Sequence, residues 1–228
     1  MTQRTGVDDS TPNSLEALEA RLQNLSHDTQ PLKIIQSFAQ TIGKTKERQR
    51  LFNASGALIR LPINYQEMRS QGIIDEQEDP FTLLQGDIVS SDAAYFMGER
   101  ITKTKFAIAS STCDLVPGRR QYATLLRLQP ITADQPQAKQ IIGDMLKFKS
   151  TKRLYLPPLP GDPKDVLANA VIFDGVIQIR LEDLLMSTRH FSLSLVGWRI
   201  FGSLVKSIMV RAGESEVKMR SSLQNIQS

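Results

Sequence analysis

Residues 86–132 read GDIVSSDAAYFMGERITKTKFAIASSTCDLVPGRRQYATLLRLQPIT, and their reading decides the fold. Gly86 allows a tight bend, and Ile88 and Val89 supply the β-propensity of a first short strand. A polar and aromatic connection, Asp92 to Thr102, leads to Lys105–Ser110, where Phe106, Ala107 and Ile108 read as a buried strand. Pro117-Gly118-Arg119-Arg120 then turns the chain into Tyr122–Leu128, a third strand rich in apolar and aromatic side chains. Pro130, which lacks an N–H, restricts the close of that strand to an edge or an end. Short strands separated by polar turns predict a small barrel rather than a parallel sheet.

Downstream, residues 136–149 carry Ile141, Ile142, Met145, Leu146 and Phe148 at helical spacing. Arg153–Leu156 reads as a strand stopped by the stiff run Pro157-Pro158-Leu159-Pro160-Gly161. Ala170–Phe173 and Val176–Arg180 flank Asp174-Gly175, the strongest hairpin signal in the chain. A helical turn at 181–186 and an extended piece at 189–194 follow. The last helix begins near Ser194, carries Leu195, Trp198, Phe201, Leu204, Val205 and Ile208, and is expected to stop at Gly213.

Upstream, residues 1–13 are polar and predicted to be disordered. Asn13 and Glu16 stand at capping-box spacing before Leu15, Leu18, Leu22 and Leu25, and Pro31 suits the first turn of a second helix over 31–52. Residues 14–54 thus predict a helical hairpin that packs on the barrel or on a second subunit. The barrel with its closing helix occupies 55–212, and 213–228 is a polar tail. The fold class is α+β.

Composition narrows the function classes. Hydrophobic residues at 40% and charged residues at 23% are ordinary for a globular chain, and the longest apolar run falls well short of the roughly 20 residues of a membrane span. One cysteine excludes an internal disulfide framework, and with no apolar leader at the N-terminus the expected location is the cytoplasm. With one cysteine and two distant histidines, His27 and His190, no metal or other cofactor is expected. The net charge of +4 is uneven: segment 100–127 holds Arg100, Lys103, Lys105, Arg119, Arg120 and Arg127 against Asp114 alone. Lys147, Lys149, Lys152 and Arg153 add to it, whereas 75–87 is acidic. A basic face of this kind is what a polyanion partner requires, although a solvated surface with nearby counter-charges has the same composition.

The order of Gly86-Asp87-Ile88, then Lys103-Thr104-Lys105-Phe106-Ala107-Ile108-Ala109-Ser110, then Pro130-Ile131-Thr132 resembles the MazF/PemK-type toxin barrel over roughly residues 84–180. The resemblance implies an SH3-like barrel, commonly a homodimer, whose active members cut single-stranded RNA without a metal. It also implies that Lys105 and Thr132 stand at the catalytic positions, where the family has an arginine and a Ser or Thr. Lysine supplies charge for a phosphorane but not the planar fork that grips phosphate, and Phe106 stands where the family has proline.

Ser110-Ser111-Thr112-Cys113-Asp114-Leu115 looks like the S-Q-x-C-D-L element of prokaryotic barrel-like proteins linked to defence or mobile elements, with Ser111 replacing the glutamine. Cys113 reads either as a reactive thiol partnered by Asp114 or, the reading its neighbours favour, as a buried core residue at a strand end beside an Asx-capping Asp114. An adjacent carboxylate raises a thiol's pKa and so opposes reactivity. The helix from 194, with Trp198, Phe201 and Arg199, reads as an RNA-stacking face or, more simply, as core packing.

The expected function is a nucleic-acid-associated barrel of a toxin–antitoxin or defence setting, binding single-stranded RNA through Lys103, Lys105, Arg119, Arg120 and Arg127, with catalysis absent or altered. Two alternatives stand beside it. One is an active metal-independent endoribonuclease using Lys105 and Thr132; the other is a regulator that binds a protein through its N-terminal helices.

Overall fold

The apolar alternation of residues 122–132 and 166–180 gives two long strands, β6 (Tyr122–Thr132) and β8 (Val166–Arg180), and the sheet grows outward from their antiparallel pairing. The computed structural model describes residues 11–27, 29–43, 51–53, 57–62, 64–74, 82–102, 104–147, 150, 152–209 and 221–222. Lys103, Lys149, the acidic loop 75–80, Gly213, most of the polar tail and residues 1–10 lie outside the described residues.

Before β6 in the chain come β1 (Ile59–Arg60), β2 (Ile88–Ser90), a separate ribbon of β3 (Tyr95–Phe96) with β4 (Glu99–Arg100), and β5 (Lys105–Ile108). After it come β7 (Arg153–Leu156) and β9 (Thr188–Leu193). The main sheet runs β1-β9-β2-β5-β6-β8-β7, antiparallel at each pairing, and curls into a half-barrel. Around it lie α1 (Leu15–Gln23), α2 (Thr29–Thr41), α3 (Tyr65–Ser70), α4 (Ala138–Leu146), α5 (Leu181–Leu185) and α6 (Leu195–Met209).

The expected hairpin at Asp174-Gly175 does not form. β8 is continuous through it, and both of its halves pair with β6: Val171 opposite Leu128, Val176 opposite Leu126. The four residues 172–175 form a bulge opposite Arg127 of β6, pinned where Ile172 pairs with Arg153 of β7 and Phe173 N donates to Lys152 O. A two-residue hairpin turn of type I′ needs φ > 0, and Gly175 is not among the glycines that adopt it. Burial of Ala168, Ala170, Ile177 and Ile179 on either side outweighs the local turn signal. Pro130 pairs with Asn169 on one side, while β5 pairs with β6 only as far as Arg127, so the proline nitrogen costs no ladder bond.

The sheet separates two buried clusters. Phe106, Ile108, Leu125, Ile177, Ile179 and Leu184 form the smaller one under α5. Ile88, Ala107, Leu126, Leu128, Phe173 and Phe201 belong to the larger, and Leu15, Leu18, Leu22, Ile35 and Phe38 of the N-terminal helices join that same cluster. The hairpin stripe therefore packs on the chain's own α6. Ser14, one residue beyond the expected Asn13, caps α1 by accepting from Ala17 N at 3.2 Å. Arg199 of α6 then closes the other end, donating from Nε to Leu22 O at 3.0 Å and from Nη2 to Gln23 O at 2.9 Å. Trp198 stands edge-on to His27 with Arg199 above its ring, and its Nε1 donates to Gln85 Oε1. Packing is thus the role of Trp198 and Phe201.

Candidate functional site

The GDI motif is a structural latch. Gly86 has φ +87° and lies against Leu193, where any Cβ would overlap the leucine side chain. Asp87 is fully buried and accepts from Ser192 Oγ at 2.6 Å, Leu84 N at 2.9 Å and Arg189 Nη1 at 3.2 Å. Burial pushes its carboxyl above the ordinary value, against the pull of those donors.

Lys105 lies at the start of β5, cross-strand from Ser90. Its Nζ is 2.5 Å from Asp162 Oδ1, with the two side chains 22% and 11% exposed. Asp162 Oδ2 also accepts from Asn169 Nδ2 at 2.7 Å and Leu159 N at 2.8 Å. Burial alone would raise this carboxyl, but the Lys105 and Asn169 bonds, the Leu159 amide and the Lys105 charge outweigh it and hold it low. The ammonium is therefore already matched by a carboxylate.

His190 arrives beside this pair because β9 carries a bulge. Ile88 pairs with Phe191 and Val89 with Arg189, which leaves His190 as the extra residue and re-aims it toward β2. Its Nε2 is 2.9 Å from Ser90 Oγ. Burial, then the Lys105 charge, lowers its pKa, and Asp162 offsets part of this. Ser90, with Ser91, Thr188, Asp92, Asp183 and Met186 among the neighbours, lines a cleft of 440 Å³.

Thr132, at the far end of β6, pairs with Val166. Continuing the β5–β6 register sets Lys105 opposite Leu128, so Thr132 lies four residues further on, roughly 13 Å along the strand. The two are not brought together as a catalytic pair. The basic residues are also dispersed. Arg127 is exposed on the Phe106 face, whereas alternation puts Lys105 on the Ala107 face. Arg119 and Arg120 sit in the turn at the opposite end of β5, with Arg119 Nη1 donating to Cys113 O at 3.3 Å.

Cys113 is exposed in a 3₁₀ turn, Thr112–Leu115, which corrects the expectation of a core thiol. Leu115, two residues on, fills the core in its place. Asp114 does not cap the turn; its Oδ1 lies 3.1 Å from Arg120 Nε. Ser110 and Thr112 of the same motif fasten the chain, accepting from Thr124 N at 2.8 Å and Gln85 N at 3.0 Å.

A second depression, of 370 Å³, lies beyond that turn and is lined by Arg120, Gln121, Tyr122, Arg180, Glu182 and Leu185 among others, with the Pro117-Gly118 bend. Tyr122 is 56% exposed and pairs across the strands with Arg180. Arg180 contacts the exposed Glu182 at 2.9 Å and the largely covered Asp183 at 2.8 Å. Tyr122, Arg120 and Arg180 thus share one depression, with the tyrosine ring exposed. Tyr122 stands at the first position of β6, and its exposure follows from that place at the strand end.

Among the described residues no group of three or more His, Cys, Asp or Glu could hold a metal ion, and no helix is long and apolar enough to cross a membrane. Compared with known proteins, the chain matches no protein-family model, no curated protein and no solved structure.

Proposed function

We propose that this chain is a nucleic-acid-associated barrel of the SH3-like, MazF/PemK-type kind, which holds single-stranded RNA without cutting it at Lys105 and Thr132. The observation that carries the reading is Tyr122, exposed between Arg120 and Arg180 in the 370 Å³ depression. Every base has a π-face, so an aromatic ring flanked by arginines binds single strands with little sequence preference. The Arg120–Asp114 ion pair does not oppose this, because exposed pairs are worth about 0–1 kcal/mol and yield readily to phosphate. The Lys105–Asp162 pair supports binding over cleavage, since its ammonium is matched by a carboxylate rather than free for a phosphorane.

The test is retardation of a labelled single-stranded RNA in EDTA, read at several salt concentrations. Wild type retards it without cleavage, with log affinity falling by about 1.4 per decade of salt for the two engaged arginines. Tyr122→Ala and Arg120→Ala weaken retardation, and Lys105→Ala with Thr132→Ala leaves it unchanged. Absence of retardation, or affinity indifferent to salt and to Tyr122, overturns the proposal.

A further inference from the structure

Ser90 and His190 are not needed for RNA stacking, and their arrangement has chemical content of its own. A serine hydroxyl and an imidazole nitrogen at 2.9 Å form the nucleophile–base contact of covalent catalysis. The imidazole gains its position from a backbone irregularity, the β9 bulge, rather than from chance proximity of two flexible side chains. His190 is partly withdrawn from water beside the Lys105 ammonium, which favours the neutral ring a general base requires.

We propose that Ser90 is a His190-activated nucleophile toward uncharged carbonyl esters. The substrate class follows from the cleft that Ser90 lines. Among the described residues that line it, the carboxylates of Asp92 and Asp183 are each paired with an arginine, Arg100 and Arg180, so the lining is close to neutral and suits an uncharged compound. Ser91 and Thr188 offer hydroxyls to a neutral carbonyl compound, and Met186, 80% exposed, offers apolar surface to its acyl or alcohol part.

The step is a simple acyl transfer. Ser90 Oγ bonds to the carbonyl carbon while its proton passes to His190 Nε2. The carbon–alkoxide bond then breaks, and His190 returns that proton to the departing alcohol. Water next attacks the acyl-serine, giving one proton to His190, which delivers it to Ser90 Oγ as the acid leaves.

The experiment incubates the intact chain with a fluorophosphonate probe and locates the adduct by peptide mass spectrometry. One adduct per chain on Ser90 is expected, forming faster as pH rises through a value below 6.5 and then levelling. His190→Gln slows labelling 10²-fold or more while the circular dichroism spectrum stays that of wild type, and Ser90→Ala abolishes it. No adduct at Ser90 on the folded wild type, or a labelling rate indifferent to His190→Gln, overturns the proposal. If both variants unfold, the pH profile of the wild type decides alone: a rate still rising with pH above 7.5 overturns it. RNA retardation is read at Tyr122 and is independent of this result.

Discussion

Asp162 Oδ1 sits 2.5 Å from Lys105 Nζ, so the start of β5 presents a neutralised pair rather than a free cation. The carboxylate also holds Leu159 N and Asn169 Nδ2, which ties the loop after β7 to two strands. Asp162→Ala strands a half-buried ammonium and two donors, and a loss of roughly 2–4 kcal/mol is expected in urea unfolding. Lys105→Met combined with Asp162→Leu removes both charges and should recover at least half of that loss. A double variant as unstable as the single one would refute this account of the pair.

The same region gives a pH dependence. His190 has a folded-state pKa lowered from 6.5, so it contributes stability that is present above pH 6.5 and lost as pH falls through its lower folded value. Asp162, also lowered, contributes stability present above its unfolded value of 3.8 and lost in stronger acid. Asp87 has the opposite sign: its carboxyl is raised, so its protonated form favours the fold and that contribution fades as pH rises. Between pH 7 and 5 the wild type should therefore lose melting temperature relative to His190→Gln, which lacks the His190 contribution.

Gly197 lets the first turn of α6 lie directly on the 57–58 segment, where Ser194 N donates to Leu58 O at 3.0 Å and Ser194 Oγ to Ala57 O. A methyl at 197 would collide with the Leu58 carbonyl, which is backbone and cannot rotate away. Although alanine has the better helix propensity, Gly197→Ala should destabilise by about 1–3 kcal/mol or more and lower the melting temperature by roughly 5 °C. A neutral or raised melting temperature would contradict the close approach.

Arg199 uses two different nitrogens to reach the last carbonyls of α1. Arg199→Lys keeps the charge but offers one point donor where a fork is needed, so it should lose most of the roughly 2 kcal/mol lost by Arg199→Ala. Hydrogen exchange in α1 should accelerate in both variants while exchange in β6 changes little. Full rescue by lysine would mean that the charge alone matters.

Much of the fold is legible in local pattern. The strands at 88–90, 105–108 and 153–156 and the last helix follow from β-branched runs, helical spacing and proline stops. Two local signals fail for one reason, that tertiary pairing outweighs them. Asp174-Gly175 is held open by the partners of both flanks, and Cys113 is displaced from the core by Leu115. The candidate site is less legible still. Ser90, Lys105, Asp162, Asn169 and His190 come from five separate stretches, and a one-residue bulge decides where His190 points. Periodicity carries no trace of such an irregularity. Lys105, Arg119, Arg120 and Arg127 are near one another in sequence, but opposite faces and opposite ends of β5 separate them.

The Arg199–Leu22 bond joins residues 177 positions apart, and with it the first helix and the last close one core. On the ribosome, at about 5–20 residues per second, α1 is made on the order of ten seconds before α6 can meet it. Through that interval Leu15, Leu18 and Leu22 have no permanent cover, a waiting time in which chaperones compete with self-association. The sheet can begin to pair earlier, so folding should end, rather than begin, with the N-terminal helices. Late docking of this kind makes the order of synthesis and the order of assembly run in opposite directions.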